Sequence, residues 1–160
     1  MPPRDGLDIG DAAPADIVLS DQRGAPVRLA DFRGCHVVLY FYPKDETAGC
    51  TAEACAFRDS YQDFTSAGAE VIGVSSDSTD SHQGFATHHR LPFILLSDED
   101  GRVRKSYGVP STLGLLPGRV TYVIDREGEV RHVFNSMTNI GQHVGDALEV
   151  VRRLQAEQAS

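Results

Sequence analysis

The stretch His36-Val37-Val38-Leu39-Tyr40-Phe41-Tyr42-Pro43-Lys44-Asp45-Glu46-Thr47-Ala48-Gly49-Cys50-Thr51-Ala52-Glu53-Ala54-Cys55-Ala56-Phe57 decides the fold. Its opening is a run of β-branched, aromatic and apolar residues without alternation, the pattern of a strand covered on both faces, and it is expected to be the central strand. Pro43 has no N–H for a ladder and ends the strand in a polar loop. Beyond the loop, Cys50, Ala54, Phe57, Tyr61 and Phe64 recur at steps of four, three, four and three, which is one face of a helix.

Toward the N-terminus, Asp16 to Leu19 and Pro26 to Leu29 flank the polar turn Ser20 to Gly24, a hairpin signal. Toward the C-terminus, a strand from Glu70 to Ser75 is followed by a helix around Ser81 to His88. A short strand, Phe93 to Leu96, is closed by Ser97-Asp98-Glu99-Asp100, and a short helix is expected near Val103 to Tyr107. After a Gly- and Pro-containing stretch from Gly108 to Gly118, strands Arg119 to Asp125 and Val130 to Phe134 flank the turn Arg126 to Glu129. The last helix sets Ile140, Val144, Ala147, Leu148, Val151 and Leu154 on one stripe, with Asn139 and Gln142 as its start signal. Strands interleaved with helices imply an α/β fold with a mixed central sheet flanked by helices and an N-terminal β-hairpin. No repeat, low-complexity tract or linker divides the chain, so residues 1–160 are expected to form a single domain.

With 160 residues, 41% of them apolar and 24% charged, the chain has the composition of an ordinary globular domain. Fifteen Lys and Arg against 23 Asp and Glu leave a net charge of −8, a field that repels nucleic acid. No apolar run approaches the roughly 18 to 20 residues of a membrane span. The opening Met1-Pro2-Pro3-Arg4-Asp5-Gly6 has no apolar core of a secretory signal, which reads as a cytoplasmic protein in a reducing compartment. Three cysteines are too few there for a disulfide framework and are candidates for chemistry.

Cys50 is expected in the first turn of a helix, just past the carboxyl end of a central strand, where open α/β sheets usually hold their ligands. Unpaired amides and the helix dipole favour an anion there. Full ionisation of a free thiol at pH 7 gains only about 30-fold, roughly 2 kcal/mol, so a fast cysteine enzyme needs further groups to stabilise moving charge. Thr47 could supply a hydroxyl and Gly49 a close approach, while a cation must come from elsewhere in the chain. Residues five apart on a helix have Cα atoms roughly 8 to 9 Å apart. A disulfide needs less than about 7 Å, so Cys50 and Cys55 can join only if the first turns unwind.

Pro43-x-x-x-Thr47-x-x-Cys50 matches the peroxiredoxin active-site signature. Its continuation, Gly49-Cys50-Thr51-x-Glu53-Ala54-x-x-Phe57-Arg58-Asp59, resembles the bacterioferritin comigratory protein, or peroxiredoxin Q, branch, and the likeness runs from Gly10-Asp11-x-Ala13-Pro14 to the final helix. The resemblance implies a thioredoxin-like fold and a thiol peroxidase acting on hydrogen peroxide and organic hydroperoxides, in antioxidant defence. By position, Cys50 would attack the peroxide and become a sulfenic acid, and Cys55 would resolve it as a disulfide. Pro43 would shield the pocket, Thr47 would hydrogen-bond the substrate, and Arg119 in Gly118-Arg119-Val120-Thr121-Tyr122 matches the arginine placed beside the thiolate. The resemblance further implies no metal or organic cofactor, recycling by thioredoxin or a similar dithiol, and a monomer. Tyr107 to Gly118 is shorter and more apolar than in many members, and Trp is absent.

Plainer roles compete for each residue. Cys50 and Cys55, with Cys35-His36, could nominally form a zinc set. Cys35 reads as a small apolar residue, Thr47 as a helix cap, Arg119 as a surface ion-pair partner, and Glu53 and Arg58 as solvated or locally paired helix residues. His82, His88 and His89 read as solvated. A general dithiol oxidoreductase would share the fold but is disfavoured by the lack of Cys-x-x-Cys, and a non-catalytic redox sensor or holdase would use the helix unwinding to expose a binding surface.

Overall fold

The structure, a computed structural model, describes residues 6–14, 16–112 and 116–159. Strand β1 (Val18–Ser20) pairs antiparallel with β2 (Pro26–Arg28), forming the expected hairpin, and Leu29–Phe32 turns as a short 3-10 helix. Strand β3 (His36–Phe41) leads into α1 (Ala48–Asp59), α2 (Tyr61–Ser66), β4 (Ala69–Ser75), α3 (Thr79–His89), β5 (Ile94–Ser97) and α4 (Arg102–Tyr107). Two short strands, β6 (Ser111–Thr112) and β7 (Leu116–Pro117), pair with each other; then come β8 (Val120–Ile124), β9 (Val130–Asn135) and α5 (Ile140–Ala159).

One sheet has the order β2-β1-β5-β4-β3-β8-β9, with β3, β4 and β5 parallel and the others antiparallel. β3 is interior, as its unbroken apolar run requires, but the middle of the sheet is β4. All six residues of β3 are buried because helices and loops cover both faces. Val38 and Tyr40 face a core shared with Phe57, Phe64, Phe85, Ala147 and Val151. Val37, Leu39 and Phe41 face the opposite core, with Ile72, Val103, Tyr107 and Tyr122. The α/β class, mixed sheet and N-terminal hairpin therefore stand as expected.

Three local features depart from expectation. The stripe from Cys50 to Phe64 lies on two helices, because Ser60, at φ −101° and ψ 4°, bends the chain between them. The bend leaves Phe57 and Phe64 in one core, 5.8 Å between ring centroids, so the apolar period survives the break. The stretch Gly108 to Gly118 contains the β6–β7 pair; too short to show a period-2 pattern, it escapes sequence reading, and residues 113–115 of that stretch lie outside the described residues. No helix among the described residues is long and apolar enough to cross a membrane.

Gly73 on β4 shows how tightly the sheet is covered: a Cβ there would lie 2.9 Å from both Leu95 Cδ2 and Tyr40 Cζ. Both neighbours are fully buried, so neither can swing into solvent. Gly73→Ala is expected to destabilise the fold by about 1–3 kcal/mol through overpacking, read as a lower urea midpoint. An unchanged midpoint would show that Tyr40 repacks freely.

Candidate active site

The site forms where the carboxyl end of β3 meets the start of β8. Antiparallel register pairs Phe41 with Val120, so Arg119, immediately before β8, lies at the same end as the loop from Pro43 to Thr47. Parallel β4 ends alongside, and Asp77, two residues beyond it, accepts a hydrogen bond from the Asp45 backbone N–H at 2.9 Å. Helix α1 starts from this loop, and Cys50, its third residue, is buried.

Two donors face the Cys50 sulfur, the Lys44 backbone N–H and Arg119 Nη2, each 3.5 Å from Sγ. Arg119 is itself buried and divides its guanidinium among three acceptors. Nη1 donates to Glu53 Oε1 at 2.6 Å, Nε to the Met137 carbonyl at 3.1 Å, and Nη2 to the thiol. The cation that the sequence could not place locally thus arrives from 69 residues away in the chain. Gly49 makes the approach possible, because a Cβ there would lie 2.9 Å from Arg119 Nη2.

Glu53 is fully buried one turn beyond Cys50 and is not the solvated helix residue that one ordinary reading offered. Its second oxygen has no hydrogen-bond partner among the described residues. His143 Nδ1 stands 3.7 Å from that oxygen but accepts from the Thr121 hydroxyl at 2.8 Å, while Nε2 donates to the Ser136 carbonyl at 2.7 Å. That arrangement uses a neutral ring, consistent with burial pushing the His143 imidazole down from its usual range. Burial pushes the Glu53 carboxyl up to about 7, with Arg119 opposing the rise. The same carboxylate holds Arg119 in its charged form against the cost of desolvation.

Thr47 occupies the N-cap position of α1, but its hydroxyl makes no capping bond and donates instead to the Lys44 carbonyl at 2.8 Å. A missing cap costs a helix roughly 1 kcal/mol, so the turn carrying Cys50 is less firmly closed than a capped one. Pro43 is half-buried at the head of the loop. Cys50 and Cys55 are both free thiols on an intact α1, as the helical spacing requires, with Cys55 half-buried. Cys35 precedes the opposite end of β3, its thiol donating to the His36 carbonyl at 3.2 Å, and burial and Glu70 push it up. Among the described residues, no potential metal-ligand cluster contains a cysteine, so the structure does not assemble the nominal zinc set.

The family model for the AhpC/TSA family matches residues 9–133. Chloroplastic peroxiredoxin Q of Triticum aestivum is 53% identical over 144 residues, covering 89% of this chain and 66% of that protein. The chloroplastic peroxiredoxin Q of Sedum lineare is also 53% identical over 144 residues, covering 89% of this chain and 77% of that protein. Among solved structures, the peroxidoxin BcpB of Mycobacterium tuberculosis superposes with a TM-score of 0.85 at 38% identity, over 92% of this chain and 97% of that one. Peroxiredoxin Q of Xanthomonas campestris does so with a TM-score of 0.84 at 31% identity, over 95% and 99%.

The chain belongs to the AhpC/TSA family, in its peroxiredoxin Q branch.

The peroxiredoxin fold, thioredoxin-like, agrees with the resemblance in the sequence. The chain spans about two thirds of the wheat relative's length. The expected cytoplasmic location does not stand. The curated relatives from wheat, Sedum lineare, rice and Arabidopsis thaliana are all named chloroplastic, and six opening residues carry no physical signal strong enough to set against that.

Sequence reasoning also misplaced His82 and His89 of this peroxiredoxin, whereas His88 is exposed as expected. His82 is fully buried, facing Asp45 Oδ2 at 2.7 Å and the Leu96 carbonyl at 2.9 Å, so each ring nitrogen donates. Asp45 further accepts from the Tyr42 and Ser81 hydroxyls at 2.6 and 2.8 Å, which fixes the loop ahead of the thiol. His88 is exposed and His89 mostly covered, and both donate to Glu46. Arg58 Nη1 bonds the His89 carbonyl at 2.7 Å, tying α1 to the end of α3. A period-3.6 reading of α3 that set His82 beside Phe85 would have found the first of these; the others depend on loop placement.

Two outcomes follow for this peroxiredoxin. Gly49→Ala should lower the urea midpoint, because pushing the buried Arg119 off its acceptors outweighs the gain of up to about 1 kcal/mol from alanine as the better helix former. It should also slow loss of the Cys50 thiol to hydrogen peroxide by roughly ten- to hundredfold, the worth of a hydrogen bond to a charged group, because Arg119 is displaced. Glu53 has a folded pKa raised from 4.5 to about 7, so its protonated form is favoured on folding. Its contribution is therefore fully present below about pH 4.5 and lost as pH rises through about 7. Wild-type stability minus that of Glu53→Gln, from urea unfolding at each pH, should fall across this window and level off above it.

Proposed function

We propose that the chain is a thiol peroxidase for hydrogen peroxide and organic hydroperoxides, serving antioxidant defence, with Cys50 as the attacking thiolate and Cys55 as its intramolecular resolving partner. The supporting observation is the pair of N–H donors, one backbone and one guanidinium, that converge on a buried sulfur at a helix start. Charge on sulfur meets a fixed cation without reorganisation.

The Cys50 sulfur attacks one peroxide oxygen and the O–O bond breaks. The other oxygen leaves with the bonding electron pair and takes a proton to become water or an alcohol, and Cys50 becomes a sulfenic acid. As negative charge shifts from sulfur to the departing oxygen, the Arg119 guanidinium and Lys44 N–H remain beside both. Pro43 at the head of the loop would limit solvent entry, and the Thr47 hydroxyl, whose hydrogen goes to the Lys44 carbonyl, keeps its lone pairs for a hydroperoxide O–H. The uncapped first turn then unwinds, Cys55 attacks the sulfenic sulfur, and a disulfide forms with release of water. Thioredoxin or a similar dithiol would return both thiols, the protein working as a monomer and a single domain. For organic substrates, support comes from the bacterioferritin comigratory protein of Xanthomonas campestris, 29% identical with a TM-score of 0.84, which has alkyl peroxide reduction activity.

Cys50→Ser should abolish peroxide turnover with thioredoxin, whereas Cys55→Ser should consume about one equivalent of peroxide and then stall. Mass spectrometry of alkylated peptides after one equivalent of hydrogen peroxide should find a Cys50–Cys55 link two hydrogens lighter. Full turnover by Cys50→Ser sinks the peroxidase assignment, and a stable Cys50 sulfenic acid with Cys55 still alkylatable sinks the resolving role.

A further inference from the structure

In the loop ahead of the thiol, Glu46 is gripped by two histidines from the end of α3. Its Oε2 lies 2.8 Å from His88 Nδ1 and its Oε1 2.6 Å from His89 Nε2. The three residues come from elements 42 residues apart in the chain, and one ligand atom from each lies within 4.8 Å of the others. Two imidazoles and a carboxylate form a borderline donor set of the kind that suits Zn2+ with an open position for water. Tetrahedral zinc needs ligand atoms roughly 3.3 Å apart, which small side-chain rotations supply. The backbone on either side is also held in an uncommon state. Glu46 and Arg90, next to His89, are the two non-glycine residues with positive φ among those described, at 63° and 53°.

We propose that Glu46, His88 and His89 form a zinc-class divalent cation site that controls how readily the first turn of α1 opens. A cation would replace the two hydrogens that now bridge the rings to Glu46, each proton moving to the ring's other nitrogen, so no charge is lost from the ligands. The chain's net charge of −8 favours cation approach. The Arg58 guanidinium, which reaches the same end of α3, bonds the His89 carbonyl and not a ring.

Coupling follows from position. Glu46 stands two residues before α1 and ties the loop to α3, while the Thr47 bond stays within the loop. Unwinding the Cys50 turn pulls directly on Glu46. A cation bound only when Glu46 is in place therefore favours the closed helix, slows disulfide formation, and leaves the Cys50 sulfenic acid exposed longer to a second peroxide and conversion to sulfinic acid. The coupling rests on the peroxidase cycle proposed above; the binding site does not.

The binding test uses the full chain with Cys35, Cys50 and Cys55 replaced by Ser, so that no thiol can capture metal, titrated calorimetrically with zinc chloride at pH 7.5. One equivalent should bind, magnesium chloride should not, and affinity should fall at least tenfold in His88→Ala/His89→Ala and in Glu46→Gln. Absent binding, or binding indifferent to these substitutions, overturns the site. In the wild-type chain, zinc at ten times its dissociation constant should slow Cys50–Cys55 disulfide formation roughly tenfold and raise the sulfinic acid yield. His88→Ala/His89→Ala should not respond. Equal slowing in both proteins assigns the effect to the thiols and overturns the coupling. If no disulfide forms even without zinc, the peroxidase cycle fails while the titration still decides the site.

Discussion

The guanidinium of Arg119 is the group on which the site depends. It is buried, and removing a cation from water costs several kcal/mol unless its donors all find acceptors. Here they find Glu53, the Met137 carbonyl and the Cys50 sulfur, which ties β8, α1 and the segment before α5 to one planar group. Buried ion pairs add little to stability relative to apolar packing, so the reason to keep one lies in chemistry. A fixed positive charge 3.5 Å from a sulfur interacts by a few kcal/mol at the effective dielectric of a protein interior, more than ionisation alone can contribute to rate.

Glu53 sets how much of that charge the thiol feels. One of its oxygens takes Arg119, and the other is left without a donor because His143 turns its hydrogen toward the Ser136 carbonyl. Burial and the missing donor both disfavour the carboxylate. As Glu53 takes up a proton, Arg119 loses a counter-charge. Gly49 belongs to the same arrangement, since any side chain there would occupy the space of Arg119 Nη2.

Stability is distributed unevenly around the thiol. Ahead of it, Asp45 is locked by Tyr42, Ser81, His82 and Asp77, and β3 is covered on both faces. Behind it, Phe57 stacks on Tyr40 with ring centroids 4.5 Å apart. Between these anchors the first turn of α1 lacks a side-chain cap and starts next to a left-handed Glu46. In the proposed cycle, the segment that opens to bring Cys50 to Cys55 sits between two that stay closed.

The sequence by itself determined the order of elements, the covered strand from His36, the helix starting near Cys50, and the family, because these depend on periods and spacings within a few residues of one another. It also determined that Cys50 and Cys55 are too far apart to join on an intact helix. Local reading did not reach the contacts made across the sheet: the role of Glu53 as the Arg119 counter-charge, the burial of His82, the grip of His88 and His89 on Glu46, and the Ser60 bend. Arg119 was nameable only through the family pattern, since nothing within its own strand distinguishes it from a surface arginine. The physical reason is the same in each case. A side chain's neighbours across a sheet are chosen by strand register and by which elements cover each face, and those choices are made by the whole core and not by any one segment.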